Sequence, residues 1–310
     1  MSINDKLLKE FVKDVEIRGW TEPTIQSCHV SLGIFFDCID KDCREADLDD
    51  LKVFLRVMQK RPGRNGKLSL ESIRKHVNNL ASFYEYLEFE DIIVKSPVPK
   101  FRRRYLNPLL KKYKSPTRQL ISIEDMARLI NSVLDPQEKA IMCVLAKTGV
   151  RVSELTAMDF RDVDMTNYSI KLKQTGKRSV QNVYFDNECA KCLRRWFGIR
   201  EDIAVKGEKA LFVTPNRGTR TTKEAVNYMV KKHSKRAGLH DDDNLDLSVR
   251  LTPHCFRHWF TTHLRRAGMP REYIKELRGD IRGDTMDIYD HIDESELKKS
   301  YLECVPQLGL

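Results

Sequence analysis

The sequence predicts a mainly α-helical protein with one small β-hairpin, built as a helical N-terminal domain followed by a larger mixed α/β domain. Three observations point there. Apolar residues recur at helical spacing through most of the 310 residues. A stretch rich in proline and cations interrupts them near residue 100. Period-two alternation appears only between residues 169 and 185. A chain of this length can bury two separate cores. With 41% apolar and 32% charged residues it has the balance of a globular protein, not a disordered one.

The first domain, residues 1–95, reads as four or five helices. Apolar positions repeat at helical spacing in LLKEFVKDVEIRGW, TIQSCHVSLGIFFDCI, DLDDLKVFLRVM and SLESIRKHVNNLASFYEYLEF. Thr24 and Ser69 are the expected helix starts, and RPGRNGK is expected to be a loop. The opening MSINDKLLKEFVKDVE is amphipathic and lacks the apolar centre of a signal peptide. No apolar run approaches the length needed to cross a bilayer. A cytoplasmic protein with no membrane partner is therefore expected.

Residues 96–118 change character. Four prolines fall in this stretch, and nine Lys or Arg lie between Lys95 and Arg118 with no acidic residue among them. Prolines break regular structure and like charges resist packing together. The expectation is an extended basic linker lying on a phosphate backbone through Arg102, Arg103, Arg104, Lys111, Lys112 and Lys114. A net charge of +10 for the whole chain agrees with an anionic partner such as nucleic acid.

The second domain, residues 119–310, opens at Ser122, where S-I-E-D carries a capping signal. DPQEKAIMCVLAKTGV reads as an apolar helix ended by Gly149. SIKLKQ and VQNVYF flank the TGKRS turn as a hairpin. NECAKCLRRWFGIRED, TKEAVNYMVKKHSKRAG, LTPHCFRHWFTTHLRRAG and PREYIKELRG read as further helices, and LFVT as a short extra strand. The eight cysteines are scattered, and the one CxxC pair, Cys189 and Cys192, falls within a helix with no second pair. Free thiols and no metal site are expected.

Three short segments carry chemistry. In TGVRVSEL, Arg151 opens a helix, where unpaired backbone N–H groups favour anions, and Glu154 is placed to orient its guanidinium. In PHCFRHWFTTHL, His254 and Arg257 are three apart and share one helix face, while Phe256, Trp259, Phe260 and Leu264 supply the packing face. His258 is read as a packing residue and His263 as a surface or helix-end residue. In LRGDIRGDTMDIYDHI, Tyr289 follows a Gly-rich turn. A tyrosine with two arginines and a histidine suits phosphodiester transfer: the phenolic oxygen attacks, planar guanidiniums hold the non-bridging oxygens, and the histidine handles a proton.

TGVRVSEL, HCFRHWF and TMDIY in this order resemble the tyrosine recombinase (integrase) family, as does a small basic helical domain ahead of them. The resemblance covers nearly the whole chain and is strongest over residues 148–160 and 251–292. It implies a core-binding domain before a catalytic domain, with Arg151, His254 and Arg257 in the pocket and Tyr289 as nucleophile. It also implies a general-acid lysine in the hairpin. Lys177 in the turn fits best, and Lys173 at the strand end competes with it. Where the family usually carries His or Trp, nine residues before the tyrosine, this chain has Asp280.

The resemblance further implies a 3′-phosphotyrosyl intermediate made without metal, cofactor or ATP. No GxxxxGK[ST] loop is present. The implied partner is double-stranded DNA at a specific site, bound by a homotetramer. The segment after Tyr289 is expected to pack either on a neighbouring subunit or on its own domain. A type IB topoisomerase and a non-catalytic DNA-binding regulator of the same fold are the alternatives.

Overall fold

The computed structural model describes residues 2–63, 66–113, 120–174, 182–244, 249–280 and 292–310. The chain divides into two compact units, Met1–Ser115 and Pro116–Leu310. Among the described residues, no helix is long and apolar enough to cross a membrane.

The first unit is built on helices α1 (Ile3–Ile17), α2 (Glu22–Ile39), α3 (Leu48–Lys60) and α4 (Leu70–Phe89). Side-chain caps start three of them: Ser2 accepts from the Asp5 N–H, Asp47 from Asp49 and Asp50, and Ser69 from Ser72. Helix α2 begins at Thr21, ahead of the expected Thr24, because Pro23 is well placed in a first turn, where no N–H is needed. Phe11, Phe35, Phe54 and Phe83 meet edge-on in the core, with Phe11–Phe83 and Phe35–Phe54 centroids 5.5 Å apart. The RPGRNGK stretch is not a plain loop. Its ends pair as two-residue strands, β1 (Pro62–Gly63) and β2 (Gly66–Lys67).

The expected extended linker is corrected by the structure, which is helical from Val98 to Lys112. Helix α5 (Val98–Phe101), a π-helical turn over Arg102–Leu106 and helix α6 (Asn107–Lys112) follow without a break. The prolines allow this because Pro99 sits in a first turn, and Pro108 also opens a helix after the wider π turn has absorbed its missing donor. Val98, Phe101 and Leu106 are buried in the core of the first unit, which drives the folding of a segment whose charge opposes it. Arg103, Arg104, Lys111 and Lys112 face solvent, Arg102 is half-buried, and Lys114 lies outside the described residues.

The second unit is arranged around helix α8 (Pro136–Thr148), buried over its whole length from Ala140. Helix α7 (Ile123–Asn131) precedes it, capped by Ser122 as expected. Helix α9 (Val152–Ala157) leads into a sheet of three antiparallel strands, β3 (Val163–Asp164), β4 (Ser169–Lys171) and β5 (Asn182–Tyr184). Ile170 pairs with Val183, and both are buried beneath the sheet. The sequence reading missed β3. LFVT is not a strand. Leu211, Phe212 and Val213 are buried, Leu211 and Phe212 lie in a bend, and isolated bridges join Ala210 to Asp159 and Val213 to Arg220. Helices α10 (Asn187–Ile203), α11 (Lys223–Arg236), α12 (Pro253–Arg266), α13 (Arg271–Arg278) and α14 (Glu294–Cys304) complete the unit.

The end of α8 carries a buried ammonium. Lys147 Nζ lies 2.5 Å from Asp186 Oδ2, 2.5 Å from Glu188 Oε2 and 2.6 Å from the Pro306 carbonyl. Burial opposes the charge, but the two carboxylates outweigh it and raise the lysine pKa. Glu188 also accepts the N–H groups of Leu308, Gly309 and Leu310. The C-terminal segment therefore folds back on its own unit. All cysteines are free, and Cys189 and Cys192 are buried with Cys143. Truncating Lys147 to alanine leaves two carboxylates buried without their cation. Lys147→Ala is expected to destabilise the second unit by about 3–5 kcal/mol in urea unfolding monitored by circular dichroism.

Candidate active site

The site forms where α8 ends, α9 begins and α12 passes beneath. Gly149 closes α8 in the left-handed region, at φ 61°. A Cβ there would stand 2.3 Å from the Phe260 ring, so both the dihedral and the space demand glycine. The turn delivers Arg151 to the N-cap of α9, where its N–H donates to Glu154 Oε2 at 2.7 Å. The Arg151 guanidinium donates through Nη1 to Glu154 Oε1 at 2.9 Å. Glu154 is buried and thus holds both ends of the arginine.

Arg257 enters from α12. Pro253 at the first helical position and the Thr252 cap set where the helix starts. From there Trp259, Phe260 and Leu264 point into the core. Arg257 is itself buried, with 5% of its side chain exposed. Its Nη1 donates to the Gly149 carbonyl at 2.8 Å and its Nη2 to the Arg278 carbonyl at 2.8 Å. Burial, then Arg151 and Arg278, push its pKa down to about 10, and Asp280 and Glu154 work against that shift. It stays a cation at neutral pH.

Asp280 lies just past the left-handed cap of α13 at Gly279. Its Oδ1 is 3.2 Å from Arg257 Nη2 and 3.6 Å from Arg151 Nη2, and its Oδ2 is 3.1 Å from Arg278 Nε. Arg151, Glu154, Arg257 and Asp280 are therefore brought together. His254, exposed, sits one turn ahead of Arg257 on the same helix. His258 is exposed too, not packed, because it lies four residues past His254 on one face. His263 is a helix-end residue as expected but is buried, with Nε2 3.3 Å from the Ile121 carbonyl, and burial lowers its pKa.

Lys173, just past β4, pairs with Asp159 Oδ2 at 3.0 Å. Arg220 also pairs with Asp159 and donates to the Thr156 and Met158 carbonyls. Burial alone would raise the Asp159 pKa, but Arg220 and Lys173 bring it below the usual carboxylate value. Lys177 and Tyr289 lie outside the described residues. The sequence reading missed Arg220, Asp159 and the Gly149 carbonyl. Only Asp159 left a signal, since Asp159 and Asp162 form a capping box around a short helical turn. Among the described residues, no group of His, Cys, Asp or Glu side chains could hold a metal ion.

Residues 119–296 match the phage integrase family. The chain is 26% identical over 314 aligned residues to the tyrosine recombinase XerC of Anoxybacillus flavithermus, covering 97% of each chain. It is 27% identical to the XerC of Thermodesulfovibrio yellowstonii, covering 75% of each. Among solved structures, the fold is similar to the Tn1549 transposon integrase in complex with transposon right end DNA. The TM-score is 0.69 at 22% identity, over 96% of this chain and 98% of that one. It is also similar to a lambda integrase dimer bound to a COC′ core site, with a TM-score of 0.69 at 14% identity over 95% and 100%.

The Gly149 turn makes a specific demand on stability. Gly149→Ala is expected to cost about 2–4 kcal/mol, from the left-handed backbone and the overlap with Phe260. Urea unfolding checks this, and Gly149→Ala should lose more than Gly198→Ala, whose Cβ meets nothing within 4 Å.

Proposed function

The chain belongs to the phage integrase family, the tyrosine recombinases, and from that membership we propose that it cuts and rejoins double-stranded DNA at a specific site through Tyr289. The observation that carries the proposal is the convergence of Arg151 and Arg257 on a single oxygen, Asp280 Oδ1, at 3.6 and 3.2 Å. Two guanidiniums that meet at one anionic oxygen have the spacing needed to hold a non-bridging phosphate oxygen.

In this reading the Tyr289 phenolic oxygen attacks the scissile phosphorus. A bond forms from the tyrosine oxygen to phosphorus, and the bond from phosphorus to the 5′ oxygen breaks. Arg151 and Arg257 take up charge on the equatorial oxygens as it develops. His254 donates a hydrogen bond to the phosphate or helps to take the tyrosine proton. Lys177 gives a proton to the departing 5′ oxygen. Lys173 is the alternative donor, and its pairing with Asp159 favours Lys177, because Lys173 would first have to leave that partner. The 3′-phosphotyrosyl link conserves the bond energy, so a second 5′ hydroxyl reverses the step without ATP, metal or cofactor. Arg102, Arg103, Arg104, Lys111, Lys112 and Lys114 contact the DNA backbone. Exchange between two duplexes involves four strand cuts, which supports a homotetramer on DNA.

The type IB topoisomerase and the non-catalytic regulator are not favoured. The relatives matched over most of the chain are named tyrosine recombinases, and the hydrogen bonds that Arg151 makes to Glu154 and Arg257 to the Gly149 carbonyl support a role for both in a phosphate pocket.

Tyr289→Phe should abolish the SDS-stable protein–DNA adduct while leaving the DNA dissociation constant within about threefold, since the change removes only the nucleophilic oxygen. An adduct formed by the Phe variant would reject the assignment. For the proton donor, Lys177→Ala should slow cleavage by about 100-fold or more and Lys173→Ala by less. A substrate with a 5′-thio leaving group needs no proton donor, so it should restore the rate of the variant lacking the true donor.

A further inference from the structure

Asp280 occupies the place that the two pocket arginines would offer a phosphate. Its Oδ1 takes Arg257 Nη2 and faces Arg151 Nη2, and its Oδ2 faces Arg278 Nε. Arg257 also donates to the Gly149 and Arg278 carbonyls and Arg151 to Glu154 Oε1, whereas Asp280 Oδ1 lies within reach of both Arg257 and Arg151. Three guanidiniums, one of them buried, repel one another in the absence of an anion. Among the described residues, the two carboxylates Glu154 and Asp280 face these three guanidiniums. Glu154 is buried and fixed by the Arg151 backbone N–H as well as by the guanidinium. Asp280 is one-third exposed and follows a glycine cap, so it is the carboxylate with room to leave.

We propose that Asp280 is a built-in counter-anion that holds the arginine pocket together in the free protein and competes with the phosphate for the same guanidinium N–H groups. The phosphate enters by displacing the carboxylate towards solvent. The pocket thus stays assembled without DNA, at the cost of weaker binding to any isolated phosphate. A phosphate delivered with the rest of a bound DNA duplex has added contacts that favour it in that exchange. Asp280 acts in this way as a positioning and selectivity residue.

The inference rests on the proposed phosphate pocket, but its readout does not require the Tyr289 nucleophile. Full-length wild type and Asp280→Asn are melted in chloride buffers of constant ionic strength with increasing inorganic phosphate. Asp280→Asn should melt lower than wild type without phosphate, and phosphate should raise its Tm with a half-saturating concentration about tenfold lower than that of wild type, because the competing charge is gone. The sharper response should vanish when Arg257→Gln is added to Asp280→Asn. If Asp280→Asn does not fold in chloride, it should fold in phosphate, which is the same linkage at its limit. Equal phosphate responses in wild type and Asp280→Asn, a response that survives the loss of Arg257, or failure to fold in both buffers would each overturn the proposal. Tyr289→Phe should leave the phosphate response unchanged, so the nucleophile assignment and this inference can fail separately.

Discussion

A guanidinium has five N–H donors in one plane, and burying it requires acceptors in that plane. Arg257 meets this requirement with groups from three parts of the chain: the carbonyl that ends α8, the carbonyl at the end of α13 and the Asp280 carboxylate. Much of the second unit is arranged to make that possible. Gly149 must have no side chain so that Phe260 of α12 can lie against the turn. That close approach brings Arg257, three residues earlier, under the α8 terminus. The same turn passes directly into Arg151. The buried cation Arg257 thus helps to fix the turn that carries the half-buried Arg151.

The helix that ends in this turn is also anchored from its last residues. Lys147 is buried against Asp186 and Glu188, and Tyr301 donates to the Lys147 carbonyl at 2.9 Å. Because Glu188 also takes three N–H groups of residues 308–310, the C-terminal segment and the end of α8 share one polar network. Such a network is rigid when complete and costly when broken. The arginine pocket begins two residues further on, at Gly149, so its geometry is tied to how well this network is satisfied.

The helices and the pocket residues were largely legible in the sequence because their signals are local. Ser69 and Ser122 announce helix starts through side-chain oxygens, and His254 and Arg257 declare a shared face by their spacing. The missed features depend on contacts distant in sequence. Arg257 reaches a carbonyl 108 residues away, and a backbone carbonyl has no residue-type signature. Lys147 reads as a polar interruption in an apolar helix until Asp186 and Glu188 fold against it. Strand β3 has two residues, too few for alternation to register. Between Val98 and Lys112, the prolines and cations suggested an extended chain, whereas three apolar side chains at helical spacing settled the outcome.

That last segment changes the length scale on which its charge acts. As an extended tether, its fifteen residues would spread their cations over about 50 Å. Coiled as a helix, they occupy about 22 Å. The linear charge density roughly doubles, and the displaced counterions come from a compact patch instead of a long track. Laid along a duplex, a segment of that length would span little more than half a turn. The reach that an unstructured arm would have given is exchanged for a fixed footprint, whose position is set by Phe101 and Leu106 in the core beneath it.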